Sequence, residues 1–133
     1  LAQAGLMQTL SIEGAKNNIH VNSLAPTAVT RMTEDLFPPD MLKEFDAASV
    51  VPAMLVLVSE AAPNRTILCA GAGTFEAANI TLTQGAYIGT GPDAPERLAE
   101  HLAQVLDRTG AMVPLSGSGQ GANEVAKARA ARG

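Results

Sequence analysis

Ile19-His20-Val21-Asn22-Ser23-Leu24-Ala25-Pro26 decides the fold class. Ile19 and Val21 alternate with His20 and Asn22, and the apolar members are β-branched. That pattern predicts a strand over 19–24, ended by Ala25-Pro26. Working outward, Leu1 to Ala15 has helical periodicity. Ala2, Leu6, Thr9, Leu10 and Glu13 fall on one side, while Gln3, Gln8 and Lys16 suit solvent. Gly14 and the Asn17-Asn18 pair stop that helix. On the other flank, Thr27 to Arg31 reads as a loop, and Thr30 or Thr33 can cap a short helix over Glu34 to Leu36. Pro38-Pro39-Asp40 interrupts, and a further turn through Phe45 follows.

Ser49 is the expected N-cap of a helix from Val50 to Glu60, with Pro52 tolerated in its first turn. This helix is apolar nearly all round, which predicts burial on more than one side. Thr66 to Ala70 is a short, continuous apolar strand of the kind found inside parallel sheets, ended by Gly71-Ala72-Gly73. Thr74 to Thr90 alternates weakly and reads as a hairpin-like excursion with a turn at Gln84-Gly85. Pro95 to Arg108 predicts an amphipathic helix whose buried stripe is Leu98, Leu102, Val105 and Leu106. Ser116 to Gly121 reads as a flexible link, and Ala122 to Ala131 as a last helix. Helix, strand, helices, strand is the order of an α/β protein with parallel strands. Two core strands do not complete a sheet, because each needs neighbours and both faces need cover. Leu1 also sits inside a helical pattern, so further chain is expected ahead of it.

Composition sets limits on partners. The 133 residues carry a net charge of −4 and have a pI near 5.0, which excludes electrostatic capture of nucleic acid. Apolar residues make up 47% and aromatics 3%, with no Trp, so the core is aliphatic. Val50 to Val58, the longest apolar run, contains Pro52 and is too short to span a bilayer, so no membrane partner is expected. Cys69 is the only cysteine, which fits a reducing compartment, and a cytoplasmic location is expected.

Leu1-Ala-Gln-Ala-Gly-Leu6, Ile19 to Pro26 and Thr30-Arg31-Met32 together resemble the second half of a short-chain dehydrogenase/reductase. Within that family, Ile12 to His20, Ala25-Pro26 and Arg31-Met32-Thr33 are similar to the (3R)-hydroxyacyl-CoA dehydrogenase units of peroxisomal multifunctional enzymes type 2. The resemblance covers about 1–73 well and 74–89 loosely. It implies an α/β fold forming the C-terminal part of a doubly wound, Rossmann-type parallel sheet, with the N-terminal nucleotide-binding half absent. Residues 1–90 are then the half-domain and 91–133 a helical C-terminal extension. It also implies hydride transfer between NAD or NADP and a hydroxyl or ketone, with acyl-CoA thioesters as a substrate class. In the family a Tyr serves as acid/base, with a Lys that lowers its pKa and a Ser that positions the substrate oxygen. No catalytic residue falls on this sequence: Tyr87 has Gly91, not Lys, four residues on, and the family's Lys would precede Leu1. What remains is the nicotinamide-facing loop, carried onto Pro26, Thr27, Ala28, Val29 and Thr30. Thr27 stands where the family has Gly, and Thr30-Arg31-Met32 lies one residue closer to the Pro than is common. The chain by itself is expected neither to bind the cofactor nor to turn over. Arg31 to Ala48 corresponds to the family's substrate-covering segment, and self-association through the helix of Leu1 to Ala15 is expected. A non-catalytic dimerisation or regulatory module is the alternative.

Other candidates have plainer readings. Asn22 either fixes the strand end near the cofactor loop or satisfies backbone groups. His20 and His101 read as structural, and Cys69 as a buried, inert thiol. Gly71-Ala72-Gly73 lacks the third glycine and following helix of a phosphate loop. Arg31 meets either a phosphate or solvent. Lys127, Arg129 and Arg132 suit a helix C-terminus. Asp93, Glu96 and Glu100 suit a first turn, and no metal-ligand spacing is present.

Overall fold

A computed structural model describes all residues, Leu1–Gly133. The chain divides into two compact units, Leu1–Asn79 and Ile80–Gly133.

The first unit opens with helix α1, Ala2–Ala15, which ends where Asn18 takes a left-handed φ of 56°. Strand β1 is Ser23–Pro26, shorter and later than the predicted 19–24. The cause lies in two side-chain amides. The Val21 N–H donates to Asn64 Oδ1 (2.9 Å), Asn22 Nδ2 donates to the Pro63 carbonyl (2.7 Å), and the Thr66 N–H donates to Asn22 Oδ1 (3.0 Å). These bonds occupy groups that a ladder would use, and of the segment 19–22 only the Val21 carbonyl keeps a cross-chain backbone partner, the Arg65 N–H (2.9 Å), so the strand begins at Ser23. Glu34–Leu36 forms one 3₁₀ turn. A second 3₁₀ turn, Ala47–Val50, leads into helix α2, Val51–Leu57. Its entry is capped by Asp46, whose carboxylate accepts from the Ala48 N–H (3.0 Å), rather than by Ser49. Strands β2, Ile67–Gly71, and β3, Thr74–Ala78, complete a three-stranded sheet in the order β1-β2-β3.

β1 pairs with β2 in parallel, as the sequence predicts, with Ser23 opposite Ile67 and Pro26 opposite Ala70. The third strand departs from an all-parallel sheet. β3 folds back antiparallel on β2 through Ala72-Gly73, whose φ values of 51° and 71° make a two-residue turn with both central residues left-handed. β1 has one neighbour and an open outer edge.

α1 packs on β1, and α2 with its leading turn packs on β2. Buried residues are Met7, Ser11, Ala53, Ala62 and Ala70, all small except Met7. The face of α1 that turns inward therefore carries Met7 and Ser11, not the predicted Leu6/Leu10 side. Leu6 and Leu10 remain 60% and 41% exposed. Gln8, expected in solvent, is half-buried and accepts from the Arg65 guanidinium (3.2 Å). Small side chains let the helix approach the sheet closely, which hydropathy alone ranks in the wrong order. α2 also corrects its expectation: only Ala53 is buried, while Leu55 and Val58 are 61% and 71% exposed. A three-stranded sheet has room for one side of that helix and no second layer to cover the rest.

The second unit holds helices α3, Ala94–Glu100, α4, Leu102–Leu106, and α5, Ser118–Ala130. The single predicted helix over 95–108 breaks at His101, whose Nδ1 and backbone N–H both lie on the Arg97 carbonyl at 2.8 and 3.1 Å. A ring nitrogen competing for that carbonyl ends the regular pattern, and Leu98, Leu102 and Leu106 stay largely exposed. α5 begins earlier than predicted, taking Ser118–Gly121 out of the expected flexible link. The Gln84-Gly85 region makes no hairpin. Instead Leu82 and Met112 exchange backbone bonds of 2.8 and 2.9 Å as an isolated antiparallel bridge.

Candidate functional site

Parallel pairing brings the ends of β1 and β2 together, and the loops that leave them run side by side. The Thr27 N–H extends the ladder by donating to the Ala70 carbonyl (2.8 Å). Beyond it, the Val29 N–H donates to the Phe45 carbonyl (2.8 Å), which ties the loop to the segment that follows. Phe45 in turn stacks on Phe37, with ring centroids 5.0 Å apart. The loop closes on a threonine knot. Thr33 Oγ1 accepts from the Thr30 N–H (2.8 Å) and donates to the Ala28 carbonyl (3.0 Å), while Thr30 Oγ1 accepts from the Met32 N–H (3.3 Å). Thr33 stands at the N-cap position of the 34–36 turn, as expected, but its hydroxyl makes no capping bond and clasps the loop instead.

Of the predicted loop residues, Pro26 ends β1, Thr27 joins the ladder, Ala28 and Val29 are half-buried, and Thr30 is exposed. The Ala28 N–H and the Thr27 and Val29 carbonyls make no hydrogen bond within the chain. Thr27 does not take a positive φ, so its place in a glycine position carries no backbone strain. The close approach falls on Gly71 across the pair, with Thr27, Phe45, Cys69 and Glu76 lining a shallow cavity of about 320 Å³ beside it. Cys69 lies in the ladder opposite Glu76 and is half-buried, more open than the buried thiol expected.

Asn22 acts at a distance in sequence, on Pro63 and Thr66 at the entry to β2. Its partner Asn64 also reaches the Ser11 carbonyl (3.4 Å), linking α1 to the same corner. Sequence reading marks Pro63-Asn64 only as a turn, and no local signal assigns the Asn64 amide to Val21. His20 Nδ1 lies 2.8 Å from the Ala62 carbonyl, a structural contact. Arg31 is exposed, and Lys127 and Arg129 sit in the last turn of α5. No group of three or more His, Cys, Asp or Glu side chains converges in a way that could hold a metal ion. No helix is long and apolar enough to cross a membrane.

Loops meeting at the carboxyl ends of adjacent parallel strands define the ligand-binding edge of α/β proteins. Comparison with known proteins specifies the relationship. A Mycobacterium tuberculosis protein described as a short-chain type dehydrogenase/reductase is 36% identical over 114 residues, covering 85% of this chain and 40% of that protein. The mouse peroxisomal multifunctional enzyme type 2 is 35% identical over 113 residues, covering 83% of this chain and 15% of the enzyme. Among solved structures, full-length peroxisomal multifunctional enzyme type 2 from Drosophila melanogaster superposes with a TM-score of 0.73 at 22% identity, over 95% of this chain and 23% of that one. That likeness establishes a shared α/β fold. No protein-family model matches the chain. The chain is a homologue of short-chain dehydrogenase/reductases and of peroxisomal multifunctional enzymes type 2. It spans well under half the length of each of these relatives.

Proposed function

We propose that the first unit is the nicotinamide- and substrate-facing part of an NAD(P)-dependent short-chain oxidoreductase that interconverts a hydroxyl and a ketone. In this reading, residues 1–90 are the C-terminal part of a doubly wound sheet and 91–133 a helical extension. An N-terminal half outside this sequence supplies the dinucleotide fold and the catalytic Ser, Tyr and Lys. The carrying observation is the pairing of the 27–30 loop with Gly71 at the carboxyl ends of parallel β1 and β2. The Ala28 N–H and the Val29 carbonyl, neither hydrogen-bonded within the chain, are a donor and an acceptor of the kind a carboxamide requires. Pro26 and Thr30 bound that set. The open edge of β1 gives a missing parallel strand a place to pair, and an uncovered apolar edge is a liability for any protein that leaves it so. Arg31 to Ala48, tied to the loop through Phe45, is the substrate-covering segment. The thioester substrate class rests on the resemblance of Ile12 to His20 and Arg31 to Thr33. A cytoplasmic location is part of the same proposal, supported by the free Cys69.

The test uses a 3-ketoacyl thioester with NADH or NADPH. The 133-residue chain alone is expected to show no turnover. Joined to the N-terminal segment of the Mycobacterium relative, it is expected to oxidise the reduced cofactor. Turnover by the isolated chain overturns the division of labour, and failure of the folded, joined protein to bind cofactor overturns the reading. The second reading, a non-catalytic dimerisation or regulatory module, is favoured by the exposed Leu6, Leu10 and Ile12 on α1. It requires that the joined protein bind cofactor no better than the chain alone. Self-association belongs to both readings.

A further inference from the structure

Beside the loop that leaves β1 lies a shallow, open hollow of about 320 Å³, built within the first unit. Its floor follows from the pleat of the sheet. Cys69 stands opposite Glu76 and Gly71 opposite Thr74 in the β2–β3 ladder, and residues two apart on a strand share a face. Three of these four positions carry side chains and Gly71 carries none, so the hollow forms over Gly71. Thr27 and Phe45 complete the wall, with Phe45 Cε1 3.4 Å from where a Gly71 Cβ would stand. The lining therefore holds one carboxylate, two hydroxyls, a thiol and an aromatic ring. Glu76 is exposed and has no basic side chain within 4 Å, since the chain's one ion pair joins Arg97 and Asp93.

Each part restricts the occupant. The carboxylate and a net charge of −4 disfavour an anion. A bare divalent ion needs several oxygen ligands, and no group of three His, Cys, Asp or Glu side chains is present to hold one. Hydroxyl oxygens accept hydrogen bonds, and the Phe45 ring offers apolar surface to methyl or methylene groups. We infer that the hollow binds a small organic ammonium ion, its nitrogen on Glu76 and its carbon groups against Phe45. Cys69, half-buried at the floor, is covered when the site is filled. The site needs neither cofactor nor turnover, so it stands or falls independently of the oxidoreductase proposal.

As the only cysteine, Cys69 reports occupancy in the full chain. Its alkylation by N-ethylmaleimide, a neutral reagent, is followed with choline as the probe and neohexyl alcohol as the uncharged carbon isostere. Sodium chloride keeps the ionic strength matched. Choline is expected to slow alkylation saturably, with half-protection at about fivefold lower concentration than the isostere, the scale of one exposed ion pair. Glu76→Gln is expected to remove that difference, and Glu76→Lys to abolish protection by choline. Circular dichroism confirms that each variant is folded. Absence of saturable protection by choline overturns the inference. So does equal protection by the isostere, or a preference for choline that survives Glu76→Gln.

Discussion

A Cβ placed on Gly71 would lie 2.9 Å from Thr27 Cβ and 3.0 Å from the Thr27 carbonyl oxygen. The end of β2 and the loop that leaves its parallel neighbour β1 therefore touch at a point where only hydrogen fits. Gly71→Ala is expected to push the Thr27 loop away and destabilise the first unit by about 1–3 kcal/mol, the usual range for forced overpacking. Urea unfolding reads the stability, and hydrogen exchange at the Thr27 amide reads the loop. A midpoint equal to the parent's would show that the loop yields freely.

Asn22 and Asn64 hold the approach to the sheet by side-chain bonds to backbone. Asn22→Ala is expected to cost about 1 kcal/mol, because it removes the bond to the part-buried Thr66 N–H, while the exposed Pro63 carbonyl turns to water. The combination with Asn64→Ala is expected to cost less than the sum of the single changes, since both brace one corner. Strict additivity in a double-mutant cycle would contradict a shared clamp.

The β2–β3 turn needs two left-handed residues and has alanine at the first. Ala72→Asn relieves that conformation and is expected to stabilise the protein by about 0.5–1 kcal/mol. Thermal unfolding checks the sign.

Leu6 and Leu10 stand out from α1 beside the inward-facing Met7 and Ser11. Changing both to Gln is expected to leave the far-ultraviolet spectrum intact and to weaken self-association. Sedimentation velocity over a range of concentrations provides the comparison. An unchanged association constant would remove α1 as the contact.

Asp107 is exposed, and bonds from the backbone and hydroxyl of Thr109 hold its carboxyl below the usual carboxylate range. A depressed folded-state pKa means that its contribution is complete above the unfolded value of 3.8 and fades as pH falls through the lower folded value. Asp107→Asn is expected to remove that acid-side dependence. Chemical-shift titration of Asp107 follows the proton directly.

Sequence alone determined the elements whose signals are local. The extent of α1, the strand at Ile67, the stop at Asn18 and the turn at Gly71-Ala72-Gly73 follow from helix-forming and apolar runs and from the Asn and Gly residues that punctuate them. The motif residues from Leu1 to Thr33 carried the family, and homology supports it. Only the tertiary structure decided which face of α1 turns inward, that β3 folds back antiparallel, and where β1 begins. The return of β3 is local, set by the Ala72-Gly73 turn, but the inward face of α1 and the start of β1 depend on partners far away in the chain. Asn64 reaches Val21, Asn22 reaches Thr66, and Gly71 meets Thr27, pairs separated by some 43 or 44 residues. Periodicity reports a residue's neighbours along one element, whereas close packing selects by size and by what stands opposite, so Met7 and Ser11 went inside and Leu6 and Leu10 did not.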